Sequence, residues 1–293
     1  MDIRDFLRSQ AKVIDEGLES LLPQADPHVP QVVEAMRHSL RGGKRLRPAM
    51  LMKAGETFGA DPLSLLLAAC GVEMVHTATL IHDDLPCIDD SDLRRGSPTC
   101  HRAFDEPTAL LAGDALIMGG FEALARQVEV SPPDRVARVL AEVARCAGAQ
   151  GLIAGEAADI AAEGQQASAE LLDHIHLTKT AALFQATVRA GAILAGAGEP
   201  GVAAMDEYGR CFGLVFQITD DILDVVGSAE ELGKPAGADA RRAKATYPAV
   251  HGLERSRQAA AELTAAAQQQ AAQLPAQREF WRELVAFLLS RTA

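Results

Sequence analysis

The stretch Phe216-Gln217-Ile218-Thr219-Asp220-Asp221-Ile222-Leu223-Asp224 decides how this chain is read. Gln217, Asp220, Asp221 and Asp224 are spaced three or four apart, so on a helix they share one stripe. Phe212, Leu214, Val215, Phe216, Ile218, Ile222, Leu223, Val225 and Val226 cover the remaining sides. A helix this apolar belongs inside protein, and three buried acids without a cation would be very costly there. A second acidic cluster lies far upstream, Asp83-Asp84-Leu85-Pro86-Cys87-Ile88-Asp89-Asp90. Carboxylates crowded in this way repel one another unless a cation sits among them. Oxygen donors without a Cys/His cluster favour magnesium, which completes its shell with water and substrate phosphate. Two such clusters are suited to gripping one diphosphate from opposite sides.

Outward from these clusters, apolar residues recur at helical spacing almost throughout, and no alternating strand pattern of useful length is present. Ile3, Leu7, Val13, Ile14, Leu18 and Leu21 open the chain with an amphipathic helix. Further helices are expected at 32–40, from Pro48 to about Phe58, 63–84, 109–128, 134–162 with a break near 148–155, 169–194, 202–226 and from Pro248 onward. Pro86 ends or kinks the helix that carries Asp83. The segments 89–98 and 227–247 read as loops, the second one mobile and charged. With no linker and no internal repeat, the fold class is all-α and residues 1–293 form one domain.

Composition narrows the function. Of 293 residues, 48% are hydrophobic and only 4% aromatic, which suits a large helical core. The net charge of −12 argues against nucleic acid as a partner. The most apolar stretch, 63–81, contains Glu73 and His76 and is read as a buried core helix, so no membrane span is expected. The five cysteines have neither zinc nor disulfide spacing, and with no apolar leader at the N-terminus a cytoplasmic location is expected.

Cations complete the pattern. Gly42-Gly43-Lys44-Arg45-Leu46-Arg47-Pro48 sets basic residues beside a glycine turn and a helix start, a natural anion site. Arg94-Arg95-Gly96 follows the first acidic cluster, and Lys179-Thr180 lies within an apolar helix. Lys234 and Lys244 stand where a loop could close over a bound anion. His76 is seven residues before Asp83, on the same helical face.

These residues resemble the all-trans prenyl diphosphate synthases, the family of farnesyl and geranylgeranyl diphosphate synthases. The similarity runs from Gly42-Gly43-Lys44-Arg45-Leu46-Arg47-Pro48 through Leu80-Ile81-His82-Asp83-Asp84-Leu85-Pro86, Asp92-Leu93-Arg94-Arg95-Gly96 and Leu111-Ala112-Gly113-Asp114-Ala115. It continues through Lys179-Thr180 and the Phe216–Asp224 motif to Thr246-Tyr247-Pro248. Two extra residues in the first cluster are similar to the bacterial and plant short-chain branch. The resemblance implies a single large helical bundle around a deep central cavity (isoprenoid synthase-like) and a homodimer. It implies condensation of isopentenyl diphosphate with dimethylallyl, geranyl or farnesyl diphosphate. On this resemblance Asp83 and Asp89, with Asp84 assisting, and Asp220, with Asp221 and Asp224 nearby, would hold about three Mg2+ ions. Lys44, Arg47, His76 and Arg95 match the isopentenyl diphosphate pocket. Arg94, Lys179 and Lys234 match the grip on the allylic diphosphate, and Thr180 and Gln217 match groups facing the developing carbocation.

Ala78 and Thr79, one turn before Asp83, would form part of the floor that limits chain growth. Alanine at 78 leaves room, so geranylgeranyl diphosphate is the expected product, with farnesyl diphosphate the alternative. Two departures stand out: Glu156 where relatives usually carry glutamine, and Ala243 where glycine is usual. A terpene cyclase should lack the isopentenyl pocket, and a non-catalytic synthase subunit should have damaged aspartate clusters.

Overall fold

The computed structural model describes residues 2–165, 167–226 and 244–290. The opening helix α1 (Ile3–Leu21) starts at Asp2, whose side chain accepts from the Arg4 and Asp5 amides, and it buries Ile3, Phe6, Leu7, Ile14 and Leu18. Then come α2 (Gln31–Leu40), α3 (Leu46–Thr57) and, after a short 3-10 turn, α4 (Leu66–Asp83). Helix α4 stops before Pro86, as a missing amide and a clash one turn back require. It packs backbone to backbone against α6 (Glu106–Arg126): a Cβ on Gly71 would stand 2.7 Å from the Gly120 carbonyl oxygen. A one-turn α5 (Cys100–Ala103) precedes α6, and Asp105 caps α6 through the Thr108 amide at 2.7 Å.

Helices α7 (Pro133–Ala147), α8 (Leu152–Ala162) and α9 (Ala169–Ile175) follow. A π-helical segment, His176–Ala181, joins α9 to α10 (Ala182–Ala195). The long α11 (Glu199–Val226) carries the second aspartate cluster. The C-terminal helices Tyr247–His251, Leu253–Ala272 and Arg278–Leu289 close the bundle. Trp281, fully buried, donates from Nε1 to Thr57 Oγ1 (2.9 Å), and its carbonyl accepts from the Tyr208 hydroxyl (2.8 Å). These bonds tie the last helix to α3 and α11, and one apolar cluster runs from Ile3 to Leu288.

The all-α expectation holds, with two local corrections. The loop at 89–98 contains a two-residue ribbon, Leu93–Arg94 paired antiparallel with Ser97–Pro98. Its turn residues Arg95 and Gly96 have φ of 53° and 76°, the left-handed pair a tight hairpin needs. A ribbon this short has no alternation to detect. The second correction is the π segment, since an added residue per turn leaves no mark on apolar periodicity.

Among the described residues, two helical stretches are long and apolar enough to cross a membrane, Pro62–Asp83 and Glu106–Glu129. The first is 67% buried inside the protein and carries Glu73, paired with Arg45 at 2.8 Å. The second, 39% buried, leaves Leu110, Leu111 and Met118 exposed along α6.

Candidate active site

One cavity of about 360 Å³ gathers most of the residues singled out above: Lys44, Arg47, His76, Thr79, Asp83, Arg94, Arg95, Lys179, Thr180, Gln217 and Asp220 all line it. Asp83 and Asp220, which are 137 positions apart in sequence, therefore open onto the same space. Asp83 arrives there as the last residue of α4. After Pro86 the chain folds back, and the Asp89 amide donates to the Asp83 carbonyl at 2.8 Å. This brings the two ends of the first cluster together.

Asp84 turns the other way. It is buried, holds Arg94 in a forked pair at 2.7–2.9 Å, and borders a neighbouring cavity. Asp90 and Asp92 pair with Arg102, at 3.1 and 2.7 Å, rather than with Arg94 or Arg95. Burial pushes the Asp83 carboxyl up to about 7, and the Glu156 and Asp89 carboxylates push the same way against Lys179 and Arg94. The carboxylates of Asp83 and Asp220 on this cavity are hard oxygen donors, which suit a divalent cation whose shell is completed by water and phosphate.

Lys179 reaches this acidic wall because α8 touches the π segment. A Cβ on Gly155 would lie 2.2 Å from the Lys179 amide nitrogen. The Lys179 ammonium sits 2.6 Å from both Glu156 Oε2 and Asp159 Oδ2. Burial works against its charge, but Asp159, Glu156 and Asp83 together hold its pKa above the ordinary lysine value. Lys244 bonds Asp89 Oδ1 at 3.0 Å and stands 3.7 Å from Asp159. It thus links the stretch after the charged loop to the first cluster. Lys234 and Ala243 lie outside the described residues.

The second cluster divides by direction. Asp220 faces the cavity, whereas Asp221 and Asp224 are 3% exposed and do not line it. Asp221 accepts from Gln217 Nε2 (2.9 Å) and from the Tyr247 amide (2.8 Å). Gln217 Oε1 in turn accepts from the Thr180 hydroxyl at 2.7 Å. His176 and Tyr247, which belong to this group, were not legible as site residues. A lone histidine near an apolar run carries no spacing signal.

Also lining the cavity, the Arg47 guanidinium lies over the Phe184 ring, 4.0 Å from its centroid, and contacts His76 Nε2 at 3.1 Å. Burial lowers Arg47 to about 10, and burial plus the Arg47 and Arg95 charges hold His76 well below its ordinary value. His76 is therefore neutral, and its ring nitrogen can accept from Arg47. Arg95 bonds the Gly42 carbonyl at 3.3 Å, beside the glycine turn. Arg45, between Lys44 and Arg47, has a structural role: it pairs with Asp15 (2.7 Å) and Glu73 (2.8 Å) and also bonds the Leu40 carbonyl.

The two residues expected at the floor, Ala78 and Thr79, sit in different surroundings. Ala78 is fully buried and not part of the cavity wall. It falls on the α4 stripe of Gly71, Met74, Val75 and His82, which packs on α6 glycines. Thr79 does line the cavity, with Leu152. Beneath Leu152 lies a small apolar cluster of Val75, Ala147 and Leu183, with Phe121 packed against it.

Fold and site together define a helical prenyl-transfer enzyme, and comparison with known proteins agrees. The polyprenyl synthetase family model matches residues 29–284. The heterodimeric geranylgeranyl pyrophosphate synthase large subunit 1, chloroplastic, of Arabidopsis thaliana is 45% identical over 92% of this chain and 74% of its own length. The geranylgeranyl pyrophosphate synthetase of Pyrococcus horikoshii superposes with a TM-score of 0.89 at 31% identity, covering 97% of this chain and 96% of that one. The geranyltransferase of Helicobacter pylori, solved with magnesium and isoprenyl diphosphate, gives 0.84 at 29% identity, covering 98% and 96%.

The chain belongs to the polyprenyl synthetase family and is a prenyltransferase. The cytoplasmic expectation is overturned: the Arabidopsis relative is chloroplastic, as are other plant relatives of similar identity. Free thiols do not define a compartment.

Proposed function

We propose that this chain extends allylic diphosphates with isopentenyl diphosphate to geranylgeranyl diphosphate. It would do so as one domain spanning 1–293, paired with a second copy of itself. The observation that carries this reading is the shared cavity, which Asp83 and Asp220 line together with a cationic wall of Arg47, His76 and Arg95. A terpene cyclase, handling one diphosphate, would have no use for that second cationic wall.

Asp83, Asp89 and Asp220 would hold about three Mg2+ ions, with Asp84, Asp221 and Asp224 supporting them. When bound, magnesium supplies positive charge to the departing diphosphate. Lys179 and Arg94 add fixed cations on the same side. Lys244, bonded to Asp89, adds another cation, and Lys234 lies outside the described residues. The allylic carbon–oxygen bond breaks, and its electron pair leaves with the diphosphate. The Thr180 and Gln217 oxygens face the resulting cation. Lys44, Arg47, Arg95 and neutral His76 hold isopentenyl diphosphate so that its double bond attacks in line. The new carbon–carbon bond forms from that π pair, and a proton then passes to the released diphosphate. Apolar surroundings keep water from capturing the cation. Exposed Leu110, Leu111 and Met118 on α6 suit burial against a second copy.

The test is purified protein with magnesium, isopentenyl diphosphate and each allylic diphosphate in turn, with the products sized as dephosphorylated prenols. A C20 product is expected. Failure to elongate any starter removes the reading.

Product length has its own test. Thr79→Tyr and Leu152→Phe place bulk at the wall where the chain grows, so both should shift the main product toward C15. Phe121→Ala should lengthen it. An unchanged distribution in all three variants would overturn the floor assignment to Thr79, Leu152 and Phe121.

The state of Asp83 predicts a pH dependence. Its proton must leave before a cation can bind. Apparent Mg2+ affinity should therefore fall about tenfold per pH unit below about 7 and level off above it. Manganese titration followed by electron paramagnetic resonance reads this directly, and a flat profile from pH 5.5 to 8 would contradict it. The sign for stability is opposite. The folded state holds this proton more tightly than the unfolded chain. The metal-free protein should therefore lose stability as pH rises from about 3.8 to about 7.

A further inference from the structure

We propose that His176 is a positioning residue for the condensation, acting on the reacting centre through Asp221. The proposal rests on the prenyl-transfer reading above and adds a residue that does not line the cavity.

Asp221 is a buried carboxylate whose two oxygens have separate duties. Oδ1 accepts from Gln217 Nε2, at 2.9 Å. Oδ2 accepts from the Tyr247 amide at 2.8 Å, and His176 Nε2 approaches the same oxygen at 3.3 Å. A carboxylate this deep keeps one orientation only while its polar neighbours stay in place. That orientation matters because the two ends of the Gln217 amide are nearly identical in shape. Asp221, an acceptor only, selects the NH2 end. The carbonyl end is then left to accept the Thr180 hydroxyl at 2.7 Å. With its proton committed there, Thr180 presents lone pairs to the cavity. A flipped amide would instead aim NH2 at Thr180 and turn partial positive charge toward a developing cation.

His176 holds the other side of this arrangement as well. It is 4% exposed, and its ring stacks on Tyr247 with centroids 5.9 Å apart and planes 28° apart. Tyr247 begins the helix Tyr247–His251, three residues after Lys244, which bonds Asp89. His176 is thus in contact with both partners of the bond between the Tyr247 amide and Asp221 Oδ2. It occupies the first position of the π segment that carries Lys179 and Thr180. One wide turn therefore delivers a diphosphate-facing cation, a hydroxyl and the residue that orients the hydroxyl's partner.

His176→Leu keeps bulk but removes both ring nitrogens, and His176→Gln restores an amide near the position of Nε2. In His176→Leu we expect kcat about 10- to 30-fold lower, with KM for isopentenyl diphosphate within about twofold of the parent. His176→Gln should recover to within about threefold of the parent kcat. A reading independent of activity comes from hydrogen exchange. The peptide containing Tyr247 should lose protection in His176→Leu and regain it in His176→Gln. Parent kcat in the leucine variant would overturn the proposal. So would equal defects in both variants, or exchange at Tyr247 that ignores the substitution. If the parent elongates no starter, the prenyl-transfer reading fails, while the exchange comparison still decides whether His176 seats Asp221 and Tyr247.

Discussion

Replacing Asp83 by Asn is expected to lower kcat/KM for elongation by about 10³-fold or more, with little loss of stability. The substitution preserves shape and burial but removes the carboxylate where charge crowding is greatest. Burial and neighbouring acids hold Asp83 near 7, so the side chain is neutral in part before any cation arrives. Replacement by a neutral amide should therefore be tolerated by the fold and resented by the chemistry. Asp220→Asn should produce a comparable loss, since Asp220 lines the same cavity. The double variant should be far from additive, because two halves of one clamp fail together. Steady-state kinetics at saturating isopentenyl diphosphate, with thermal melts alongside, makes the comparison. Either single variant retaining a tenth of parent activity would mean that its carboxylate does not grip the reacting diphosphate.

Lys179→Ala should cost about 10²- to 10³-fold in kcat/KM for the allylic substrate while leaving KM for isopentenyl diphosphate within about twofold. The asymmetry follows from position. Lys179 stands 2.6 Å from Glu156 and from Asp159, whereas Arg47 is bound to His76 and lies over Phe184. A conservative Lys179→Arg should recover only part of the loss, because a planar fork does not fit where a compact ammonium meets two carboxylates. Equal changes in both KM values would indicate a general disturbance of the fold instead of a lost diphosphate contact.

Legibility in the sequence tracked the physics of each feature. The helices were readable because burial on one face repeats every turn, and the stop before Pro86 because a proline's missing amide is a local fact. The convergence of Asp83 and Asp220 on one cavity was anticipated from charge: two acidic clusters, each in want of cations, are suited to gripping one diphosphate. What escaped notice depends on contacts between distant segments. The π segment that carries Lys179 and Thr180 packs closely on α8 at Gly155, and nothing within residues 176–181 announces that neighbour. Ala78 and Thr79 are adjacent in sequence, but the glycines of α6 draw one into the helix interface and leave the other on the cavity wall. Asp220 and Asp221 separate in the same manner, one facing the cavity and the other the Tyr247 amide. A stripe argument resolves faces of a helix; it does not say which neighbour each face meets.

Catalysis by this site requires both acidic clusters to hold ions on one diphosphate. Crystals soaked with manganese and a non-hydrolysable allylic diphosphate analogue, measured for anomalous scattering, answer this. The expected result is ions within about 2.0–2.3 Å of carboxylate oxygens of both Asp83 and Asp220, all bridging to the same diphosphate. Ions confined to one cluster, with the other carboxylate out of reach of the diphosphate, would contradict it.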